Sequence, residues 1–331
     1  MKTHIAYVLV SDHEDIYYEQ ALLSAYSLMY HNKDASIYLV VDKKTALTLT
    51  GSRSEISQYV KEMVVVDTPS TLNRKETSRY LKTNLRHYLT GDILFIDCDT
   101  IICGDLSSVD ETTSDMAAVP NEHINLSELR EINQEAYNDL SNKVNILFGR
   151  HLVDTDYYFN SGVLYIKDTP QAKQFFDTWH HYWMQSREKG CVLDQPSFYI
   201  ANRENSLMVE RLDDIYNAQI CYTYKYFHEA RIIHYFSSIS VLNGLPFTHH
   251  DFYRNIKKEG HLTKEAKQTA LQCKREIPIP AILITNKKQI NFLFSDLGLF
   301  LMNEYDKKSF FYHLINSCYR LTKRIKSIFR R

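Results

Sequence analysis

Three short, strand-like apolar runs, HIAYVLV (4–10), SIYLVVD (36–42) and EMVVVD (62–67), open the chain. Between the first two lies YYEQALLSAYSLMYH (17–31), where Tyr18, Leu22, Tyr26 and Met29 recur at helical spacing. ETSRYLKTNLRHYL (76–89) is a second helical pattern, with Leu81, Leu85, Tyr88 and Leu89 on one face, and it leads into DILFIDCDTII (92–102). Strands alternating with helices predict βαβ units and a largely parallel sheet. Further strands are expected at MAAVP (116–120), SGVLYIK (161–167) and RIIHYF (231–236), and a helix at FFDTWHHYW (175–183).

The run ILFI (93–96) is the near-continuous apolar stretch of a strand buried on both faces. Side chains two apart on an extended strand share a face, so Asp97 and Asp99 point together at its open end and Cys98 turns away. In parallel sheets that end is where ligands bind. Two carboxylates so close repel each other and favour a bound cation, and oxygen ligands suit magnesium or manganese. Two enzyme classes place Asp-x-Asp after a buried strand: nucleotide-sugar glycosyltransferases and haloacid-dehalogenase-type phosphatases. The phosphatase reading needs Asp97 as nucleophile, Asp99 as acid/base and a later acidic pair, for which Asp213-Asp214 is the candidate. Against it, some 90 residues of strand and helix pattern precede Asp97.

Charge is unevenly placed. Residues 320–331 (RLTKRIKSIFRR) hold six Lys or Arg and no acid, whereas the rest of the 331-residue chain holds 33 basic against 40 acidic residues. From Phe310, apolar residues Phe311, Leu314, Ile315, Cys318, Leu321, Ile325, Ile328 and Phe329 recur mostly at spacings of three and four. That is an amphipathic helix with a basic face, suited to an anionic membrane surface through 310–331 or to packing on its own domain. Basicity confined to one end argues against nucleic acid. Six cysteines without C-x-x-C spacing indicate neither a zinc cluster nor a disulfide framework. The N-terminal apolar run is too short for a signal peptide, and no run approaches a membrane span. A cytoplasmic protein, peripheral on the inner face of the cytoplasmic membrane, is the expectation.

Ordered blocks then narrow the choice: YVLVSD (7–12), SRYLK (78–82), FIDCDTII (95–102) with Asp105-Leu106, YFNSGVLYI (158–166), LDQPS (193–197) and IIHYF (232–236). In this order and spacing the chain resembles glycosyltransferase family 8, retaining nucleotide-sugar transferases of GT-A fold, over roughly residues 3–245. The resemblance implies a mixed, mostly parallel α/β sheet in a catalytic domain at 1–245, followed by a mainly helical extension at 246–331. It implies that Asp97, Asp99 and His234 hold Mn2+ or Mg2+ bridging the diphosphate of a UDP-sugar. It places Asp12 at the base, Arg79, Asn160, Ser161 and the Asp97-Cys98-Asp99 stretch at the donor, and Asp194 and Gln195 beside the anomeric carbon. The expected reaction moves a hexose, glucose or galactose, to a glycan or glycolipid acceptor of lipopolysaccharide or polysaccharide type. Arg79, Lys82 and Arg86 form a basic stripe at i, i+3 and i+7, of which Arg79 matches the family's donor-reaching Arg; for Lys82 and Arg86 a solvated face is the plainer expectation. The chain departs from the family after His234, where SSISVLNGLPF (237–247) lacks the Lys-Pro-Trp of the loop that closes over the donor, and near DHEDIYY (12–18), which carries an insertion. A catalytically inactive sugar-nucleotide-binding module is the remaining alternative to transferase and phosphatase. The stretch 121–157 is expected to face the acceptor.

Overall fold

The computed structural model describes residues 1–236, 246–275 and 295–328, with side chains through 321. IPIPA (277–281) and most of SSISVLNGLPF lie outside the described residues. Two compact units divide the chain, Met1–Glu276 and Ile277–Arg331.

The first unit begins with β1 (His4–Leu9), α1 (Tyr17–His31), β2 (Ile37–Asp42), α2 (Lys43–Thr48), β3 (Glu62–Val66), α3 (Arg74–Thr83), α4 (Leu85–Tyr88), β4 (Ile93–Ile96) and β5 (Thr100–Ile102). It continues with β6 (Met116–Pro120), α5 (Leu126–Ile132), α6 (Gln134–Phe148), β7 (Phe159–Ile166), α7 (Pro170–Glu188), α8 (Gln195–Glu204), β8 (Val209–Arg211), β9 (Ala218–Gln219), β10 (Ile232–His234), α9 (His250–Glu259) and α10 (Lys264–Leu271). The second unit holds α11 (Asp296–Asp306) and α12 (Phe310–Ile328). No helix among the described residues is long and apolar enough to cross a membrane.

A seven-stranded sheet runs β3-β2-β1-β4-β7-β6-β8, and a three-stranded sheet runs β5-β10-β9. β3, β2, β1 and β4 are mutually parallel, whereas β7 is antiparallel to both β4 and β6. Since β1 leads to β2 on one side and β4 lies on the other, the chain reverses its direction of travel between β1 and β4, where an open α/β sheet forms its ligand crevice. ILFI is fully buried, as a strand covered on both faces must be. On the face of β4 that carries Ile93 and Phe95, α3 and the aromatic side of α7 share one buried cluster, in which Phe175, Phe176 and Trp179 pack edge-on to one another and Phe175 and Trp179 to Phe198 of α8. Pro170 at the first turn and the Thr169 side chain, which accepts from the Ala172 N–H, start α7.

The helix expected at 76–89 is instead two. It starts earlier, at Arg74, under a capping box in which Asn73 and Glu76 bond each other's backbone N–H, and it breaks at Asn84. There the Asn84 amide donates to the Tyr80 carbonyl and to His180 Nδ1. The break separates the basic stripe. Lys82 is 2 % exposed and Arg86 is 1 % exposed, so neither lies on a solvated face. Arg86 turns to the opposite end of the strands, donating to the Gly91 carbonyl at 2.7 Å and to the Leu89 carbonyl, with Asp168 at 3.6 Å. Two backbone carbonyls are satisfied by this one buried cation, and Asp168, which also accepts from the Gly91 N–H, lies beside it. Arg86→Ala is expected to destabilise the unit by about 2–3 kcal/mol, read from the urea midpoint; an unshifted midpoint would return Arg86 to a surface role.

Candidate active site

The carboxyl end of β4 is where the chain gathers its chemistry. Strand pairing does the gathering. β7 runs antiparallel to β4 with Ile96 opposite Val163, and the Asp97 N–H donates to the Gly162 carbonyl at 2.7 Å, which carries Asn160 and Ser161 past the aspartates. From the smaller sheet, His234 lies opposite Thr100 on β5, and the Tyr235 N–H donates to the Asp99 carbonyl. The Thr100 hydroxyl donates to the Asp97 carbonyl at 2.9 Å and fixes the turn between the two acids. α3 supplies Arg79 and Lys82, one turn apart, and the start of α8 supplies Asp194 and Gln195.

A buried ammonium holds two acids at once. Lys82 Nζ lies 3.3 Å from Asp97 Oδ1, 3.1 Å from Asp194 Oδ2 and 3.2 Å from Ser161 Oγ. Asp194 is 4 % exposed and fully engaged: Arg79 Nε is 3.1 Å from Oδ1, and Ser161 donates to Oδ2 at 2.9 Å. Its backbone carbonyl accepts from the Trp179 indole and the Ser197 hydroxyl, which pins the residue to the aromatic core. Burial alone would raise the Asp194 carboxyl, but Lys82 and Arg79 hold it well below the usual carboxylate range. The Asp97 carboxyl is pushed up, chiefly by burial, with Lys82 opposing and Asp99 adding to the rise. The ionised form of Asp97 is thus disfavoured where it stands, and an added cation would favour it.

Asp97, Asp99 and His234 bring one ligand atom each within 4.8 Å of one another. An amide relay sets the imidazole. Asn217 Nδ2 donates to Asn160 Oδ1, so Asn217 Oδ1 is an acceptor, and His234 Nδ1, 3.1 Å away, carries the hydrogen. The lone pair of neutral His234 is then on Nε2, facing Asp99 Oδ1 at 3.2 Å. Two lone-pair atoms facing each other at that distance fit a proton or metal ion between them, and a buried carbonyl orienting the ring from behind is the usual support of a metal-binding His. Phe236 stacks on the ring at 3.8 Å. A Cβ at Gly162 would stand 2.4 Å from His234 Cε1, so the missing side chain makes room for the imidazole.

Other expected residues take these positions. Asn160 is 3 % exposed and its amide is committed behind His234, accepting from the Gly162 N–H and from Asn217 and donating to Asn121 Oδ1. Gln195 donates to Asn121 Oδ1 and the Phe159 carbonyl, which leaves its Oε1 without a partner among the described residues. Cys98 faces β1, with its thiol against the Val8 carbonyl. Asp12 lies beyond the end of β1, adjacent to β4 in the sheet, its carboxylate bonded to the Glu14 N–H and to Arg74. Asp213-Asp214 does not form the second acidic pair of a phosphatase: Asp214 is tied to His123 and Arg211, and Asp213 caps the turn that follows. Sequence reasoning set Lys82 aside and missed Asn217 and Asn121; for Lys82 the available signal was its position one turn from Arg79, and for the two asparagines there was none.

The family model of glycosyl transferase family 8 matches residues 6–239. No curated protein sequence matches the chain. Among solved structures, galactosyltransferase LgtC in complex with donor and acceptor sugar analogues aligns at 15% identity and a TM-score of 0.47, covering 81% of this chain and 100% of that one. Mouse xyloside xylosyltransferase 1 aligns at 12% identity and 0.46, covering 71% and 97%. Glycosyltransferase GlyE of Streptococcus pneumoniae TIGR4 aligns at 17% identity and 0.46, covering 82% and 62%.

Gly162→Ala is expected to displace the imidazole with the fold retained, and, if Asp97, Asp99 and His234 hold Mn2+, to weaken its binding roughly 10- to 100-fold, as removal of ligand support does. Calorimetric Mn2+ titration alongside thermal unfolding checks both; unchanged affinity would contradict the position of His234.

Proposed function

The chain belongs to glycosyltransferase family 8, and from that premise we propose that it transfers a hexose, glucose or galactose, from a UDP-sugar to a glycan or glycolipid acceptor with retention of configuration. The observation that carries the reading is the convergence of Asp97, Asp99 and His234, with Asn217 directing the His234 Nε2 lone pair toward Asp99. These three residues would hold Mn2+ or Mg2+. A bound divalent ion stabilises the charge that grows on the departing diphosphate.

The chain's own residues do the rest. Lys82 sets fixed positive charge beside Asp97 and Asp194, and Arg79 beside Asp194; Arg79, with about a third of its side chain exposed, has guanidinium N–H groups left to reach the donor. Asp194 orients this pair. Because both of its oxygens are engaged, it is poorly placed to attack carbon, and double displacement would lack its carboxylate nucleophile. Front-face attack by the acceptor hydroxyl, with the departing phosphate oxygen taking the proton, fits this arrangement. Gln195 Oε1 is then free to accept from a sugar hydroxyl, and the Asp12 carboxylate to accept from the base. Ser161 locks Asp194 and Lys82, and Asn160 aligns His234 from behind, so both serve the donor site indirectly. On this reading the catalytic domain is 1–245, and the segment from 246 is an extension.

For the extension we propose docking on an anionic membrane from its cytoplasmic side. Within the second unit, Phe310, Phe311, Leu314, Ile315 and Leu321 of α12 are exposed, ahead of a basic end. Apolar insertion and lipid charge would act together.

Release of nucleoside diphosphate from uridine, guanosine and adenosine diphosphate sugars, with Mn2+, Mg2+ or chelator, tests the reading against a phosphomonoester control. Chelator-sensitive release from a uridine donor supports it; cleavage of the phosphomonoester alone contradicts it, and metal-dependent donor binding without release, with or without a panel of glycan acceptors, identifies an inactive module. Asp99→Ala and His234→Ala should each lower turnover by about 10²-fold or more while leaving the unfolding curve in place, and wild-type turnover in either would remove the metal assignment. Deleting 320–331 should spare donor hydrolysis in solution and weaken sedimentation with anionic liposomes at low salt; unchanged sedimentation would assign that segment to packing.

A further inference from the structure

The loop between β1 and α1, which carries Asp12, is held by three cations from elements distant in sequence: Arg74 of α3 grips the Asp12 and Asp15 carboxylates directly, at 2.8 Å each, and Arg53 and Lys257 hold the loop mainly through its backbone. Arg53, 4 % exposed in the short helical turn Gly51–Gln58, donates to the Asp12 carbonyl at 2.6 Å and to Ser11 Oγ at 2.9 Å, with its guanidinium 4.6 Å over the Tyr18 ring. From the other side Lys257 of α9 donates to the His13 carbonyl at 3.0 Å and to the Asp15 carbonyl. Glu19, 2 % exposed, lies 3.9 Å from the same ammonium and balances its charge. Acceptors of Ser11, Asp12, His13 and Asp15 are thereby all claimed by groups outside the loop.

Within the loop Asp15 is the hub, accepting from Ser11 Oγ at 2.6 Å, the Asp12 N–H at 3.0 Å and the Tyr17 N–H at 3.0 Å. Buried Val10 and Ile16 close its two ends, and cavities border the segment between them. A cavity of about 370 Å³ lies between the loop and α9, lined by His13, Tyr17, His250 and Arg254, and a second of about 180 Å³ lies between Arg53, Glu19 and His261. A loop bordered by cavities takes its conformation from its polar ties.

We propose that Lys257 and Arg53 are positioning residues for nucleobase selection: through the backbone of residues 11–15 they fix the Asp12 carboxylate at the height and angle that one base edge requires. The proposal rests on the reading of Asp12 as the group facing the donor's base. A carboxylate discriminates between bases only while it is held still, because an unpaired buried partner is what penalises the wrong edge. The same C-terminal stretch would then supply both the metal-facing His234 and the tie that sets base preference.

The test uses the full chain with Mn2+ and the free nucleotides UDP, GDP, ADP and CDP. In Lys257→Met, amide exchange across 11–17 should accelerate by more than the fall in thermal midpoint that an unpaired Glu19 brings, while exchange in β4 and β7 follows the midpoint alone. Affinity for the preferred nucleotide should fall roughly tenfold, while the other three barely change, so that selectivity collapses; Lys257→Arg should restore it. Arg53→Lys, which keeps the charge and loses the two-pronged grip, should act the same way and serves as the second variant should Lys257→Met fail to fold. Retained selectivity with faster exchange overturns the proposal. So does an equal loss for all four nucleotides, which would place the effect at the diphosphate. A wild-type protein that binds none of the four overturns the transferase reading itself, and this proposal with it.

Discussion

Negative charge is crowded at the end of β4, and the surrounding elements are arranged to offset it. Asp97, Asp99 and Asp194 come from two segments nearly a hundred residues apart, and like charges so placed would drive the segments apart without intervening cations. Lys82 is the intervening cation for Asp97 and Asp194, and its burial requires that all its donors be taken, which Ser161 completes. The position of α3 follows from this contact as much as from its apolar face. Asp99 has a different partner, His234, and on the proposed reading the space between them is where a divalent ion would complete the balance.

Rigidity at the site comes from shells behind the charged atoms. Trp179 and Ser197 anchor the Asp194 backbone to the α7–α8 aromatic core, and the Asn121–Asn160–Asn217 relay orients His234 through hydrogen bonds alone. Fully satisfied polar chains of this kind specify one geometry, because any flipped amide leaves two buried groups unpaired. Gly162 belongs to the same device: it is the absence of a side chain that lets the ring sit against β7.

Much of this was legible in the sequence because the period of the strands is short and their burial is total. ILFI and HIAYVLV read as buried strands, helix 17–31 falls where its spacing places it, and the order of blocks from YVLVSD to IIHYF identifies the family before any coordinate is known. What was not legible depends on contacts across the chain. The break at Asn84 turns on His180, nearly a hundred residues later, and without it Lys82 and Arg86 read as one exposed stripe. Asn217 stands in a segment without pattern, and its meaning appears only when β9 pairs with β10. The group that needs Gly162 to lack a side chain is an imidazole from another sheet, which no local spacing reveals.

The account turns on a cation held by Asp97, Asp99 and His234 Nε2 while Nδ1 remains bonded to Asn217. Anomalous diffraction at the manganese edge, from crystals grown with Mn2+ and UDP, observes this directly. The account predicts one strong peak within about 2.0–2.2 Å of His234 Nε2 and of an oxygen from each aspartate, first-row metal distances, with the Asn217 bond intact. A nucleotide-bound crystal with no peak among these three residues, or with the imidazole turned so that Nδ1 faces Asp99, would contradict it.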